Sequence, residues 1–299
     1  MNKEDFKTEE EVREGVEVPK DLKQIWKVLL DIFEEFIRIC GNHGLRYYID
    51  GGSLLGTVRH KGFIPWDDDL DVAMPREDYD KFLEIAAGEL TSPFVVQNSL
   101  FDEEYTNGYS RIVNCQTTAI NRFYADNGFH FHMGIGLDIF PLDPMPDQES
   151  DRKKIWKNTI LLRSIRHYTF NRNGKGLRFW IHKIAAKIIW FALGGKTLFL
   201  MREFPFRRLL KANLDKWASC PGEYGWAKHS LREKAWYDGY VEMPFEYLTV
   251  RVPKGYENVL VQIYGKDWRI PKRGVAFHSD LILDPNKSYS DILRDQFGY

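Results

Sequence analysis

The stretch YYIDGGSLLGTVRHKGFIPWDDDLDVAM, residues 47–74, decides how the rest of the chain is read. Arg46 to Asp50 has strand character and runs into Gly51-Gly52-Ser53, after which Leu54 to Arg59 reads as the first turns of a helix. A strand, a glycine turn and a helix in that order let the backbone approach a phosphate closely, and the amides and dipole of the helix N-terminus favour the anion. A Gly-Gly pair before a helix is commonly just a turn, so the second half of the stretch carries more weight. Asp67, Asp68, Asp69 and Asp71 place four carboxylates within five residues, and in an extended chain Asp69 and Asp71 share a face. Two hard oxygen donors side by side suit Mg²⁺, which takes one or two protein carboxylates and completes its octahedron with water and phosphate oxygens. The run is flanked by Ile64-Pro65-Trp66 and by Leu70, Val72, Ala73 and Met74. Like charges held beside apolar strands are costly, and a metal relieves that cost.

Outward from this stretch, Leu22, Ile25, Trp26, Leu29, Ile32, Phe33, Phe36 and Ile37 recur at helical spacing, which predicts a helix stopped by Gly41 and Gly44. Residues 1–18 are charge-rich without apolar periodicity and read as a flexible arm. Downstream, Leu70 to Met74 reads as a buried strand and Arg76 to Leu90 as a helix. Strand-like runs follow around Phe94 to Gln97, Tyr109 to Asn114, Thr117 to Phe123 and Gly136 to Phe140. Helices mixed with strands over residues 19–145 give an α/β or α+β core. Asp138, a lone acid in the apolar run Gly136-Leu137-Asp138-Ile139-Phe140, could supply the third carboxylate of a two-metal phosphoryl-transfer site. Asp143 is a second candidate, although Pro141 and Pro144 around it suggest a surface turn. Arg59, His60 and Lys61 place cations between the glycine turn and the Asp run, where they would neutralise donor phosphates or merely offset the Asp charges.

The 299 residues are 43% hydrophobic and 15% aromatic, which excludes wholesale disorder and leaves room for two domains or one with a large insertion. Cys40, Cys115 and Cys220 are odd in number and far apart, against a disulfide framework or a CxxC zinc knuckle, so a reducing compartment is expected. The first residues, MNKEDFKTEEEVREG, have no apolar signal region, and the expected location is cytoplasmic. After Pro141-Leu142-Asp143-Pro144 the composition changes to helix formers, bases and aromatics. Residues 146–299 are expected to be mostly helical, with a C-terminal module packing back on the core. Within them, residues 152–211 hold sixteen Lys and Arg against one acid, Glu203, a surplus of +15 in a chain whose net charge is -1. Such a segment suits a polyanionic partner or an acidic body. Leu177 to Leu193 carries an apolar stripe of Leu177, Trp180, Ile181, Ile184, Ile188 and Phe191, fit for an anionic membrane interface or for the protein's own core. No DNA- or RNA-binding module accompanies the bases, and no nucleic-acid partner is expected.

The string GGSLLGTVRHKGFIPWDDDLDVAMPREDYDKF, residues 51–82, followed by GIGLDIFPLD, residues 134–143, resembles the LicD family of phosphocholine transferases, related to the fukutin-related proteins. The strand YSRIVNCQTT, residues 109–118, with its basic Arg111, and the looser C-terminal match from Tyr264 to Pro271 with His278, extend the resemblance. It implies an α+β fold, a nucleotidyltransferase-like mixed sheet flanked by helices. It also implies an Mg²⁺-dependent transferase, with two ions, that moves phosphocholine or a related phospho-alcohol from CDP-choline or a similar CDP-alcohol. The acceptor would be a hydroxyl of a glycan, lipid-linked glycan or teichoic acid precursor, and CMP would be released. Carried over by position, Gly51, Gly52 and Ser53 would take donor phosphates, with Arg59, His60, Lys61 and Arg111 as supporting cations. Asp69, Asp71 and Asp138 would hold metal, Asp138 also serving as a base. A shift in register would exchange Asp69 and Asp71 for Asp68 and a neighbour. Choline would need aromatic faces, for which Trp66, Tyr47 and Tyr48 stand nearest. The rival readings are a nucleotidyltransferase that leaves the nucleotide on its acceptor, and a non-catalytic adaptor for membranes or polyanions.

Overall fold

The first eighteen residues, expected as a flexible arm, are tied to the body of the protein. The computed structural model describes residues 2–298 apart from 106, 213, 220–229 and 273–280. Strands β1 (Glu11–Arg13) and β2 (Val16–Val18) form a hairpin, Phe6 and Val18 are buried in the main core, and Arg13 pairs with Glu246 at 2.5 Å. Two well-placed apolar residues and several ion pairs, Lys23 with Glu11 among them, anchor a segment too short to show a period. Helix α1 (Lys20–Asn42) buries the apolar stripe from Ile25 to Cys40. It runs through Gly41, where a helix loses only about 1 kcal/mol relative to alanine, and ends before Gly44, which takes a left-handed φ of 62°.

The central sheet is built around one long strand. After β3 (Tyr48–Ile49), α2 (Gly51–His60), β4 (Asp71–Pro75), α3 (Arg76–Glu89), β5 (Phe94–Gln97), β6 (Ser110–Asn114), β7 (Thr118–Asn121) and α4 (Arg122–Asp126), the chain enters β8 (Gly136–Met145). β8 pairs in parallel with β4, Asp71 opposite Asp138, while β6 and later β9 (Lys216–Ser219) pair with it antiparallel. β3 is antiparallel to β4, so the sheet is mixed and the α+β expectation is borne out. The predicted strand at Gly136 to Phe140 is ten residues long, because Pro141 and Pro144 are accommodated within it. The surface turn expected at Asp143 is therefore absent, and Asp143 is fully buried.

The second part begins with three helices, α5 (Glu149–Phe170), α6 (Leu177–Leu193) and α7 (Gly195–Leu209). Beyond them strands join the expected helices, since β9 and β10 (Leu231–Glu233) extend the central sheet. The hairpin β11 (Tyr240–Phe245) and β12 (Leu248–Pro253) and helix α8 (Tyr256–Tyr264) pack Phe245, Val250, Val252, Val259 and Leu260 into the main core. Finally β13 (Leu281–Asp284) pairs with β7, and α9 (Tyr289–Ile292) closes a smaller cluster with Tyr105, Phe129 and Phe131.

Candidate active site

The stretch from residue 47 to 74 folds into a strand, helix, loop and strand that bring its glycines and acids together. Asp50 donates its amide to the Asp71 carbonyl at 3.0 Å, and Ser53 Oγ accepts from the Asp71 amide at 2.9 Å, so the start of α2 is stitched to the start of β4. Trp26 Nε1 donates to the Asp67 carbonyl at 2.7 Å and fixes the acidic loop against α1. Helix α2 begins at Gly51 itself, three residues earlier than the sequence reading placed it, so both glycines lie in its first turn.

Gly51, Gly52, Asp67, Asp69 and Asp71 all line one cavity of about 380 Å³. The need for glycine is steric. A Cβ on Gly51 would stand 2.9 Å from Asp71 Oδ2, and one on Gly52 would stand 2.8 Å from Asp67 Oδ2. Gly51 also takes φ 55°, a left-handed conformation that L side chains rarely adopt. The glycines thus admit two carboxylates to the N-terminus of α2, where amides and dipole favour negative charge. Asp69 precedes β4 instead of lying on it, and the acids of the run that line the cavity are Asp67, Asp69 and Asp71, while Asp68 is not among the lining residues. The sequence reading left Asp67 and Asp68 equivalent, and loop geometry separates them.

Burial pushes the Asp71 carboxyl well up from its ordinary pKa, and the negative charges of Asp69, Asp138, Asp50 and Asp67 add to the shift. Asp138 lies directly across the parallel ladder, but its Oδ1 accepts from Arg111 Nε at 2.5 Å. The resemblance placed Arg111 among the phosphate-binding cations, and the structure pairs it with an acid. Among the described residues no group of three or more His, Cys, Asp or Glu side chains is already converged as a metal cage. The donor chemistry nevertheless fits Mg²⁺, which needs only one or two carboxylates: three acids of the Asp run line one cavity, and Asp71 is held at the cost of like-charge repulsion. Asp138 fits that set less well, because Arg111 already neutralises it.

Of the predicted cations, Arg59 lines the cavity and donates Nη1 to the Trp268 carbonyl at 3.2 Å. His60 turns away, accepting from Arg59 Nε at 2.8 Å and facing Glu14 at 2.9 Å, and burial lowers its pKa. Lys61 is exposed and caps α2 in a left-handed conformation, φ 57°. Ser53 is buried with its hydroxyl on the Asp71 amide, so it braces the site without lining it. Lys272, which motif reading passed over, lines the cavity together with Tyr264, Asp267, Trp268 and Ile270. Only the looser resemblance at residues 264–271 signalled that wall. His278 lies outside the described residues.

Trp66 also lines the cavity, whereas Tyr47 and Tyr48 are buried in the core at 2% and 3% exposure and are removed as choline-facing candidates. Trp268 is nearly buried and carries the Arg269 guanidinium 4.2 Å from its ring centre. Tyr264 keeps over a third of its surface exposed, yet its hydroxyl is pushed strongly up, first by burial of that end of the side chain and then by Asp71 and Asp50.

With that geometry in place, residues 44–166 match the LicD/FKTN/FKRP nucleotidyltransferase domain. Over 275 residues, 84% of this chain and 92% of the relative, the chain is 25% identical to the lipopolysaccharide cholinephosphotransferase LicD of Haemophilus influenzae. It is 29% identical over 101 residues, 34% of this chain and 17% of the relative, to the ribitol 5-phosphate transferase FKRP of Mus musculus. The human protein of the same name is 29% identical over 89 residues, 28% of this chain and 18% of its own length.

Proposed function

From a chain whose residues 44–166 carry a LicD-family nucleotidyltransferase domain, we propose a transferase that moves phosphocholine or a related phospho-alcohol from a CDP-linked donor to a hydroxyl of a glycan acceptor. The observation that carries this reading is the convergence, in one cavity, of a helix N-terminus, three acids of the Asp run, two cations and aromatic surface. The first-turn amides of α2 with Arg59 and Lys272 would hold the donor diphosphate. Asp67, Asp69 and Asp71 would hold Mg²⁺, which when bound supplies Lewis acidity and neutralises phosphate charge. Trp66 and Tyr264 offer ring faces to a quaternary ammonium, while Asp71 and its neighbours add negative potential beside it. The acceptor oxygen bonds to the phosphorus of the alcohol phosphate, the diphosphate P–O bond breaks, and CMP leaves with that bond's electrons. Asp138, held in place by Arg111, would take the proton of the acceptor hydroxyl.

The relatives support this reading in two ways: one is named for cholinephosphate transfer and the other for ribitol 5-phosphate transfer. The test is to incubate the protein with Mg²⁺, an acceptor glycan and CDP-choline, CDP-ethanolamine or CDP-ribitol in turn, measuring CMP and the product mass. CMP release with the phospho-alcohol on the acceptor is expected. Nucleotide found on the acceptor would instead make the protein a nucleotidyltransferase.

A further inference from the structure

Helix α6 exposes the side of itself that a soluble helix normally hides. Leu177 is 78% exposed, Ile188 64% and Phe191 95%, and Trp180, Ile181 and Ile184 are exposed with them. At about 100° per residue these six positions form a single stripe. The opposite side carries Lys183 and Ala186, the helix's buried residues, with Lys183 Nζ donating to the Asn171 carbonyl at 2.7 Å. The polarity of the helix is therefore inverted relative to its own core: Lys183 faces in and the large apolar residues of the stripe face out. The expectation that this stripe could close the core is set aside by its exposure.

Charge says what would cover it. Arg178 and Lys187 are exposed and border the stripe on its two sides, and Arg172, Lys175 and Lys196 are exposed near the helix ends. The one acid among residues 152–211, Glu203, is buried and paired with Arg76. An apolar stripe edged by bases, on a segment with no exposed acid of its own, is the pattern of a helix lying in a lipid interface, where long basic side chains reach the headgroups. A second copy would make a poor partner, because a two-fold interface sets the same cationic patch against itself. No single described helix is long and apolar enough to cross a membrane, and α6 with α7 reaches that length only as a pair bent by 91°. Lying on the surface is what this length and this bend allow.

We infer that the outer face of α6 is a docking surface for an anionic lipid bilayer, with Phe191, Ile188 and Leu177 entering the interface and Arg178 and Lys187 contacting headgroups. This goes beyond the transfer chemistry and does not depend on it. It would hold the cavity beside acceptors presented at a membrane.

The test is co-sedimentation of the full chain with vesicles of phosphatidylcholine alone or of equal parts phosphatidylcholine and phosphatidylglycerol. Binding should require phosphatidylglycerol and weaken with salt. It should also fall by about tenfold or more in Ile188→Ser/Phe191→Ser and in Arg178→Glu/Lys187→Glu. Both variants change exposed positions, and an unchanged melting temperature will show that they fold. CMP release with a water-soluble acceptor should be unchanged, which separates failure of this inference from failure of the proposed chemistry. Absence of binding at low salt, equal binding to both vesicle types, or binding indifferent to both variants would overturn it. So would self-association in sedimentation velocity that Ile188→Ser/Phe191→Ser abolishes, since that would assign the face to a second copy.

Discussion

The two ends of the β4–β8 ladder both bury carboxylates and treat them in opposite ways. At the start of the ladder Asp71 and Asp138 face each other, with Asp67 and Asp69 lining the same cavity as Asp71. At the far end Asp143 is fully buried, and both its oxygens accept from Arg76 at 2.6 Å. Arg76 also pairs with Glu203 of α7 at 2.8 Å, while Arg207 of α7 holds Asp80 of α3 at 2.5 and 2.9 Å. That network ties α3, β8 and α7 together with acid and base in register. Burial raises the pKa of both Asp71 and Asp143, but the strongest charge at Asp143 is the opposing Arg76, whereas at Asp71 the strongest charges are all acids that push the same way. Asp143, neutralised by Arg76 and sealed from the cavity, is structure. Acids of one sign crowded into a cavity await a cation.

The comparison can be broken most forcefully at Arg76. Arg76→Met leaves Asp143 buried without its partner, and Glu203 with Arg202 alone, and should cost about 3–5 kcal/mol, read as a fall in the denaturant midpoint. A loss under about 1 kcal/mol would mean that water or rearranged arginines replace it. At the other end, Asp71→Asn removes a charge from the cation-holding cluster and should lower CMP release by about a hundredfold or more with the fold intact, in line with the loss of one electrostatic stabiliser. Near-normal turnover in a folded Asp71→Asn variant would remove Asp71 from the site.

A smaller effect is expected from Gly52→Ala. Its Cβ would stand 2.8 Å from Asp67 Oδ2, so the carboxylate must shift while the helix stays formed. Turnover should fall by roughly tenfold and Mg²⁺ should be needed at higher concentration, since misplacing one charged group weakens a preorganised site by a few kcal/mol at most. If the variant raises the KM for the donor alone and leaves the Mg²⁺ requirement unchanged, the glycine serves the phosphate and not Asp67.

The cluster was legible in the sequence because its residues are local: Gly51 to Asp71 spans one strand, one helix and one loop, and alternation of acids with apolar residues survives in the string. The mixed sheet was legible for the same reason, as most of its strands are short apolar runs bounded by turn residues. What hid were features made by distant parts of the chain. Arg111 resembled a phosphate ligand until pairing of β6 with β8 set it on Asp138. Asp143 looked like a turn residue because two prolines flank it, and only Arg76, 67 positions away, explains its burial. Lys272 stands about 200 residues from the Asp run and carries no local pattern. The exposed stripe of α6 was visible as a stripe, but helical periodicity gives the spacing of a face and not the direction in which it points.

The finest test of the comparison is stability measured without metal. Asp71 has its folded pKa raised by burial and by Asp69, Asp138, Asp50 and Asp67. An acid shifted upward binds its proton more tightly folded than unfolded, so the folded state loses stability as pH rises above the unfolded value near 3.9. The loss is complete once pH exceeds the folded value. In chelator, Asp71→Asn should therefore melt about 2–4 °C higher than the wild type at pH 7. That advantage should shrink as pH is lowered and vanish near pH 3.5, where the wild-type carboxyl is protonated in both states. Adding Mg²⁺ at pH 7 should raise the wild-type midpoint more than that of the Asn variant, because the variant has lost the acid on which the repulsion of Asp67, Asp69 and Asp138 converges. Equal melting of the two proteins in chelator at pH 7 would mean that Asp71 is compensated within the chain, as Asp143 is, and the contrast between the two ends of the ladder would disappear.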